Sequence, residues 1–214
     1  MIKYDILNRV SREKIVAIIR VTNEEQAERA LDALAEGGLH CVELTFTTPY
    51  AHSILEKMCR RYEGSDVRLG AGSVLDSETA RIAVLSGAKF LVTPSFSADT
   101  VRTANRYGVP VFSGISTPTE AVAALESGVD VVKLFPATAY TPKIIKDLKA
   151  PLPNLEVMPT GGVGLNNLAE WIRGGAFACG VGGSLLSGIK EGDYAKITRT
   201  AKEFVRVVEE TNNG

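Results

Sequence analysis

Residues 129–136 read VDVVKLFP, a short apolar run that is rich in β-branched residues and ends in a proline. Such a run is typical of a buried strand in a parallel sheet. Because side chains alternate along a strand, Lys133 shares one face with Val131 and Phe135. Burial would lower the pKa of this lysine and make it a nucleophile able to form a Schiff base with a carbonyl. The run equally fits a lysine that extends its charge past the strand end or pairs with a carboxylate.

Similar runs recur along the chain, each followed by a segment of helical periodicity such as residues 24–36. Their starts are about 19 to 26 residues apart and lie near Ile15, Cys41, Val67, Lys89, Pro110, Val129, Leu155 and Ala176. Eight β-then-α units predict a (β/α)₈ TIM barrel, with a short amphipathic helix over residues 4–13 before it. The alternative is an open doubly wound sheet, whose first turn favours a glycine-rich loop. The turn after Arg20 has no glycine, which favours the barrel.

Turn-forming residues support the same division into units. Glycines that suit helix C-caps precede five of the strands, at Gly38, Gly87, Gly108, Gly128 and Gly175. Thr-Pro pairs at 48–49, 117–118 and 141–142 each predict an N-cap threonine with proline at the first helical position. Thr117 and Glu120 also have the spacing of a capping box. No low-complexity linker interrupts the pattern, so we expect one domain over residues 1–214.

Composition limits the classes of partner. The net charge of −1 over 214 residues gives no electrostatic footprint for nucleic acid or an anionic membrane. Cys41, Cys59 and Cys179 lie far apart, which indicates reduced thiols and neither a disulfide nor a zinc site. The two histidines, His40 and His52, are too few for a histidine-rich metal site. No apolar run reaches the length of a membrane span and the first residues lack signal-peptide features, so we expect a cytoplasmic protein.

Polar strand residues can be divided by the end of the barrel at which they fall. Active sites of such barrels lie at the carboxyl ends of the strands, so Arg68 and Lys89, at strand starts, are expected to be structural. Glu43 alternates with the bulkier apolar residues of its strand and is therefore expected to face the barrel interior. A buried carboxylate near Lys133 is either a structural ion pair or a general acid–base.

Two glycine-rich segments follow the last two strands, TGGVG at 160–164 and GVGGS at 180–184. In many barrels these two loops hold a phosphate with their backbone N–H groups. Glycine lets the backbone approach the anion closely. The alternative is that the glycines only form tight turns.

Taken together, several segments resemble the bacterial 2-keto-3-deoxy-6-phosphogluconate (KDPG) aldolases, also described as 4-hydroxy-2-oxoglutarate aldolases. The resemblance covers nearly the whole chain, and its most specific pair is KLFP at 133–136 with PTGGV at 159–163. The other segments are IVAIIR at 15–20, VELTFTTP at 42–49, GAGSV at 70–74, VTPSFS at 92–97 and VGGS at 181–184. These relatives are class I aldolases on a (β/α)₈ barrel, typically homotrimers that need no metal, and the resemblance implies no cofactor here.

The resemblance also implies residue roles. Lys133 would form the Schiff base and Glu43 would be the general acid–base. The remaining substrate-binding positions would line the pocket, hold the carboxylate end or hold the phosphate, and they are Pro94, Phe135, Arg20, Thr47, Ser73, Thr160, Gly161, Gly162, Gly182, Gly183 and Ser184.

The chain departs from the family pattern at three places. Some members have arginine at the position of Thr47, so the carboxylate contact here would rely more on Arg20 and Ser73. Ser73 stands where threonine is common and keeps the hydroxyl. The fifth strand ends FSG at 112–114, where Pro-Gly is common. None of these changes removes a catalytic group.

The expected reaction is cleavage of KDPG to pyruvate and glyceraldehyde 3-phosphate through a Lys133 Schiff base. The same chemistry could act on 4-hydroxy-2-oxoglutarate or 2-keto-3-deoxy-6-phosphogalactonate. A sugar-phosphate isomerase or epimerase would instead need an enediolate base and often a metal. A non-catalytic sugar-phosphate sensor would leave the buried Lys133 without a role.

Overall fold

The structure, a computed structural model, describes residues 2–213. Met1 and Gly214, which the single-domain prediction includes, lie outside these residues. The strands are β1 Ile15–Ile19, β2 Cys41–Thr45, β3 Arg68–Gly72, β4 Leu91–Val92, β5 Val111–Ile115, β6 Val131–Leu134, β7 Val157–Pro159 and β8 Cys179–Val181. The helices are α1 Ile2–Glu13, α2 Glu24–Glu36, α3 Ala51–Arg61, α4 Ser77–Leu85, α5 Ala98–Arg106, α6 Pro118–Glu126, α7 Lys143–Lys149, α8 Leu168–Arg173 and α9 Tyr194–Asn212. A short 3₁₀ helix over Ala137–Ala139 follows β6.

The eight strands form one parallel sheet in the order β7-β6-β5-β4-β3-β2-β1-β8. A parallel bridge between Thr160 and Gly180 joins the two ends of this order just beyond β7 and within β8. This bridge brings the sheet round on itself, and the strands alternate with helices along the chain. The predicted (β/α)₈ barrel is therefore confirmed, and the open doubly wound alternative is wrong.

The strand side chains separate into two apolar clusters according to their alternation. The barrel interior contains Val16, Cys41, Phe90, Val92, Phe112, Val131, Met158 and Ala178. Phe90 and Phe112 are its largest members, with ring centroids 5.5 Å apart. Ile6 and Val10 of α1 join the same cluster. Helix α1 thus covers one mouth of the barrel with apolar side chains, and Glu43 and Lys133 lie towards the other.

The outer cluster lies between the strands and the surrounding helices. Val42 and Leu44 of β2 belong to it, together with the buried face of α2. Val132 and Leu134 of β6 are outer residues as well, while Val131 is interior. The face predicted for Lys133 from strand alternation therefore agrees with the packing of its neighbours.

The helix-end predictions have mixed outcomes. All five pre-strand glycines have positive φ, between 67° and 96°, as predicted. Thr117 forms the predicted capping box with Glu120, and Pro118 opens α6. The prediction for Thr48 is wrong, because α3 begins only at Ala51 and Tyr50 is its N-cap. Two turns precede the helix: the N–H of Thr48 donates to the Thr45 carbonyl at 3.0 Å, and the N–H of Ala51 donates to the Thr48 carbonyl at 3.2 Å. The prediction at 141–142 is displaced by one residue, since α7 begins at Lys143 with Pro142 as its N-cap.

Helix α1 is tied to the start of β2 through a carboxylate. Oε1 of Glu13 accepts hydrogen bonds from the backbone N–H groups of His40 at 2.6 Å and Cys41 at 2.8 Å. These N–H groups lie at the covered mouth of the barrel. The bonds therefore fix the position of the helix that closes the interior there.

Among residues 2–213, no helix has the length and apolar character needed to cross a membrane.

We expect Glu13→Ala to lower the free energy of unfolding by about 1–3 kcal/mol, because two N–H groups lose a charged acceptor. Glu13→Gln keeps an acceptor oxygen, so its free energy of unfolding should fall by less. Urea denaturation followed by circular dichroism measures both values. An Ala variant as stable as the wild type would contradict this role for Glu13.

Candidate active site

A cavity of about 880 Å³ opens at the carboxyl ends of the strands. Every predicted site residue except Thr47 lines it: Arg20, Glu43, Ser73, Pro94, Lys133, Phe135, Thr160, Gly161, Gly162, Gly182, Gly183 and Ser184. Arg68 and Lys89, predicted to be structural, line a separate cavity of about 460 Å³. The barrel thus brings together residues from seven of the eight β-then-α units. The fifth unit does not line the cavity.

Lys133 lies on β6, in register with Gly114 of β5 and Met158 of β7. Its side chain is buried, with 6% of the residue exposed, and its Nζ is 4.9 Å from the centroid of the Phe135 ring. None of the ion pairs within 4.0 Å among residues 2–213 includes it. Burial is the main cause that lowers the pKa of Lys133, and it outweighs the opposing charge of Glu43. The arrangement thus shifts the protonation equilibrium of Lys133 towards the neutral amine.

Glu43, on β2, is 1% exposed and points into the same cavity. Burial raises the pKa of this carboxyl, while the charges of Lys133 and Arg20 act in the opposite direction. Within the described part of the chain, its Oε2 atom has no hydrogen-bond partner. A carboxyl with a raised pKa and a free oxygen can both donate and accept a proton in this cavity.

Gly72, at the end of β3, makes room for Glu43. A Cβ atom at this position would lie 2.5 Å from Oε1 of Glu43. Gly70, two residues earlier on the same face, likewise leaves space for the ring of Phe90, which would be 2.4 Å from a Cβ atom. Sequence reasoning did not assign these glycines a role. The signal was the pattern RLGAG within a strand, since glycine inside a strand marks a close approach.

Thr93, also absent from the sequence predictions, supports the wall formed by Pro94. Its Oγ1 atom donates to the carbonyl of Ser95 at 2.7 Å and accepts from the N–H of Gly114 at 3.0 Å. A Cβ atom at Gly114 would lie 2.1 Å from the carbonyl carbon of Pro94. The Pro94 backbone therefore packs directly on Gly114, which is the β5 neighbour of Lys133 in the ladder. In this way β5 supports the cavity without lining it.

Phe135 also lines the cavity and is 39% exposed. The segment that follows it, through a cis Phe135–Pro136 bond, is held on both sides. The N–H of Ala137 donates to the carbonyl of Thr160 at 2.8 Å, and the hydroxyl of Tyr140 donates to the carbonyl of Ser116 at 2.6 Å. These bonds fix the aromatic ring beside the ammonium position of Lys133.

The two glycine-rich loops form the far side of the cavity. Gly161 and Gly162 have φ values of 92° and 76°, which a residue with a Cβ atom rarely adopts. Oγ of Ser184 donates to the Val163 carbonyl at 3.2 Å and so joins the two loops. No acceptor among the described residues is found for the N–H groups of Gly162, Gly183 and Ser184. These groups are available to a bound anion.

Arg20 and Ser73 lie at the mouth of the cavity, after β1 and β3. Arg20 is exposed, and its charge contributes to the pKa shifts of both Glu43 and Lys133. Ser73 has a φ of 59°. Thr47 is exposed outside the cavity, with its Oγ1 3.0 Å from Oγ1 of Thr45. A substrate contact by Thr47 stays a prediction, and the structure does not bring this residue to the others.

The cavity lining includes residues beyond those predicted: Ile18, Val163, Gly164, Asn166, Gly180, Leu186, Ser187, Ile189 and Lys190. Most of them come from the loops after β7 and β8, whose irregular conformation leaves no periodic pattern in the sequence. Among residues 2–213, no cluster of three or more His, Cys, Asp or Glu side chains is placed to hold a metal ion.

The fold and site define a (β/α)₈ barrel with a desolvated amine and a carboxyl at the open mouth. The family model for KDPG and KHG aldolase matches residues 6–200. The chain belongs to the KDPG and KHG aldolase family.

Individual relatives support this assignment. The chain is 35% identical over 208 residues to the 2-dehydro-3-deoxy-phosphogluconate aldolase of Treponema pallidum (strain Nichols), covering 95% of this chain and 97% of that protein. It is also 35% identical over 172 residues to the 2-dehydro-3-deoxy-6-phosphogalactonate aldolase of Escherichia coli (strain K12), covering 80% and 83%. A solved structure described as native KDPGal superposes with a TM-score of 0.87 at 31% identity, covering 94% of this chain and 96% of that one.

The space beside Glu43 can be tested without an activity assay. Because a Cβ atom at Gly72 would overlap the Glu43 carboxyl, we expect Gly72→Ala to lower the free energy of unfolding by roughly 1–3 kcal/mol. Gly183→Ala is the matched control, since a Cβ atom there meets nothing within 4 Å. Urea denaturation compares the two variants, and equal stabilities would contradict the close packing at Gly72.

Proposed function

We propose that this protein is a class I aldolase that cleaves KDPG to pyruvate and glyceraldehyde 3-phosphate through a Schiff base on Lys133. The observation that carries the proposal is the burial of Lys133, without a close ion pair, in one cavity with the buried Glu43. A neutral amine beside a proton-transferring carboxyl is the pair that Schiff-base chemistry requires. Family membership agrees with this choice of reaction.

The first half of the reaction forms the iminium. Neutral Lys133 attacks the C2 ketone of the substrate and gives a carbinolamine. Glu43, whose pKa is raised by burial, donates a proton to the departing hydroxyl, and water leaves. The positively charged iminium then attracts the electrons of the adjacent C3–C4 bond.

The second half breaks the carbon–carbon bond. The Glu43 carboxylate removes the proton of the C4 hydroxyl, the C3–C4 bond breaks, and its electron pair moves to the iminium to form an enamine. Glyceraldehyde 3-phosphate leaves as the aldehyde. Protonation of the enamine at C3 and hydrolysis of the resulting iminium release pyruvate and restore Lys133.

The proposed substrate orientation follows from the charges around the cavity. The substrate carboxylate would lie towards Arg20 and Ser73, at the strand ends beside Glu43. The terminal phosphate would lie against the free N–H groups of the two glycine-rich loops. Pro94 and Phe135 would enclose the pyruvate-derived carbons.

The resemblance extends the proposal to the setting of the enzyme. We infer a single domain over residues 1–214 that acts as a homotrimer in the cytoplasm, in the Entner–Doudoroff pathway. The proposed mechanism uses no metal and no cofactor.

A second candidate keeps the chemistry and changes the substrate. The relative from Escherichia coli is named for 2-dehydro-3-deoxy-6-phosphogalactonate, which favours this C4 epimer as an alternative. The unphosphorylated 4-hydroxy-2-oxoglutarate is a further candidate. Comparing kcat/KM for the three substrates decides among them, because all three carry the 2-keto and 4-hydroxyl groups and they differ in the configuration at C4 or in the group beyond it.

The assignment of Lys133 is tested by trapping. Borohydride reduction of the wild type with pyruvate should attach one reduced pyruvate to the peptide that contains Lys133, as mapped by mass spectrometry. Lys133→Met should show no label, because the attacking amine is removed while an unbranched side chain remains. A labelled Lys133→Met protein would contradict the assignment, and a chelator-sensitive enzyme without labelling would favour an isomerase or epimerase.

Replacing the Glu43 carboxyl by an amide tests its role in proton transfer. Glu43→Gln should lower kcat by about 100- to 10,000-fold, the usual contribution of general acid–base catalysis. Borohydride trapping of pyruvate should persist at long incubation times, since Lys133 is intact. Steady-state kinetics and trapping on the same preparation measure both, and a kcat close to that of the wild type would overturn the role.

A further inference from the structure

Besides Arg20 and Lys133, one more basic side chain lines the active-site cavity. It is Lys190, in the segment between β8 and α9. Lys190 is exposed, and it belongs to none of the ion pairs found among residues 2–213. Its ammonium is therefore available to a bound anion. Sequence reasoning gave this residue no role.

The loop that carries Lys190 is held in place at both ends. Leu185 and Leu186 are buried near its start. Near its end, the N–H of Asp193 donates to the carbonyl of Gly188 at 2.9 Å, and a Cβ atom at Gly188 would be 2.3 Å from the Asp193 carbonyl oxygen. Only four residues separate these two positions, so Lys190 projects from a short closed turn at the cavity rim.

The nearby carboxylate of Asp193 is already engaged. It accepts a hydrogen bond from the N–H of Lys196 at 2.9 Å, which caps α9, and pairs with Arg199 at 3.7 Å. The carboxylate that follows Lys190 in the chain, on Glu191, forms no ion pair with it. The positive charge of Lys190 is thus left for a ligand.

Lys190 lies on the phosphate side of the cavity and away from the reacting pair. The loop between β8 and α9 also carries Gly183 and Ser184, whose N–H groups have no acceptor among the described residues. The charge of Arg20 contributes to the pKa shifts of Glu43 and Lys133, whereas Lys190 is not among the causes of either shift. Arg20 therefore acts on the reacting pair through its charge, and Lys190 does not.

We propose that Lys190 is a specificity-determining residue that pairs with the terminal phosphate of a phosphorylated 2-keto-3-deoxy acid. A phosphate monoester carries about −1.5 to −2 charges at pH 7, and backbone N–H groups supply only partial charges to balance it. The ammonium of Lys190 supplies a full positive charge. It makes the enzyme select phosphorylated over unphosphorylated substrates. This inference rests on the aldolase function proposed above.

The test uses the condensation direction, in which pyruvate adds to an aldehyde with no other co-reactant. Glyceraldehyde 3-phosphate and glyceraldehyde are compared as acceptors, and the measured quantity is the ratio of their kcat/KM values. Lys190→Met should lower this ratio by about tenfold, equivalent to about 1.4 kcal/mol. The loss should come mainly through a higher KM for the phosphorylated acceptor, because a full positive charge is removed from beside the phosphate.

Two controls accompany this variant. Lys202→Met removes an exposed lysine of α9 that lies outside the cavity, and it should leave the ratio as in the wild type. Lys190→Arg keeps the charge and should retain most of the preference.

Failure of the two proposals can be told apart. Labelling by pyruvate and borohydride in the wild type, with an unchanged ratio in Lys190→Met, would overturn the role of Lys190 alone. A similar rise in KM for both acceptors would do the same, since it would indicate a general disturbance of the loop. A wild type that shows neither labelling nor condensation would overturn the aldolase function and the role of Lys190 with it.

Discussion

The removal of Lys133 from water is the constraint on which the site depends. An ammonium at this depth loses hydration that no nearby carboxylate replaces, since none of the described residues forms an ion pair with it within 4.0 Å. Glu43 acts on it through charge but does not overcome the effect of burial. A contact ion pair would have fixed both groups in their charged forms. Separation of the two buried groups within one cavity instead keeps the amine available as a nucleophile and the carboxyl available for proton transfer.

The barrel maintains this separation because glycines on neighbouring strands leave space that side chains would otherwise fill. Gly72 leaves the volume that the Glu43 carboxyl occupies, and Gly114 lets the Pro94 backbone pack beside the Lys133 strand. Thr93 holds that backbone through two hydrogen bonds. The apolar interior below, closed by α1, excludes water from the other mouth. Packing beside and beneath the reacting groups thus determines the environment of Lys133.

Strand and helix periodicity predicted the barrel, the face of Lys133 and the interior position of Glu43, because each depends on local alternation. Thr48 shows the limit of local signals: it has an N-cap sequence, but turns at the end of β2 delay the start of α3 by two residues, to Ala51. Thr47 was placed at the site by resemblance, and the structure leaves it exposed outside the cavity. Gly72 and Lys190 were missed because their roles depend on contacts between distant segments, which no spacing in the sequence records.

The central claim is that burial makes Lys133 a weaker base than an ordinary lysine. Nuclear magnetic resonance titration of the ligand-free enzyme, with the side-chain signal of Lys133 assigned by its loss in Lys133→Met, measures this property directly. The account predicts a pKa below the ordinary lysine value of about 10.4, and a still lower pKa in Glu43→Gln, where the carboxylate charge that raises it is absent. A pKa at or above the ordinary value in the wild type would contradict the account.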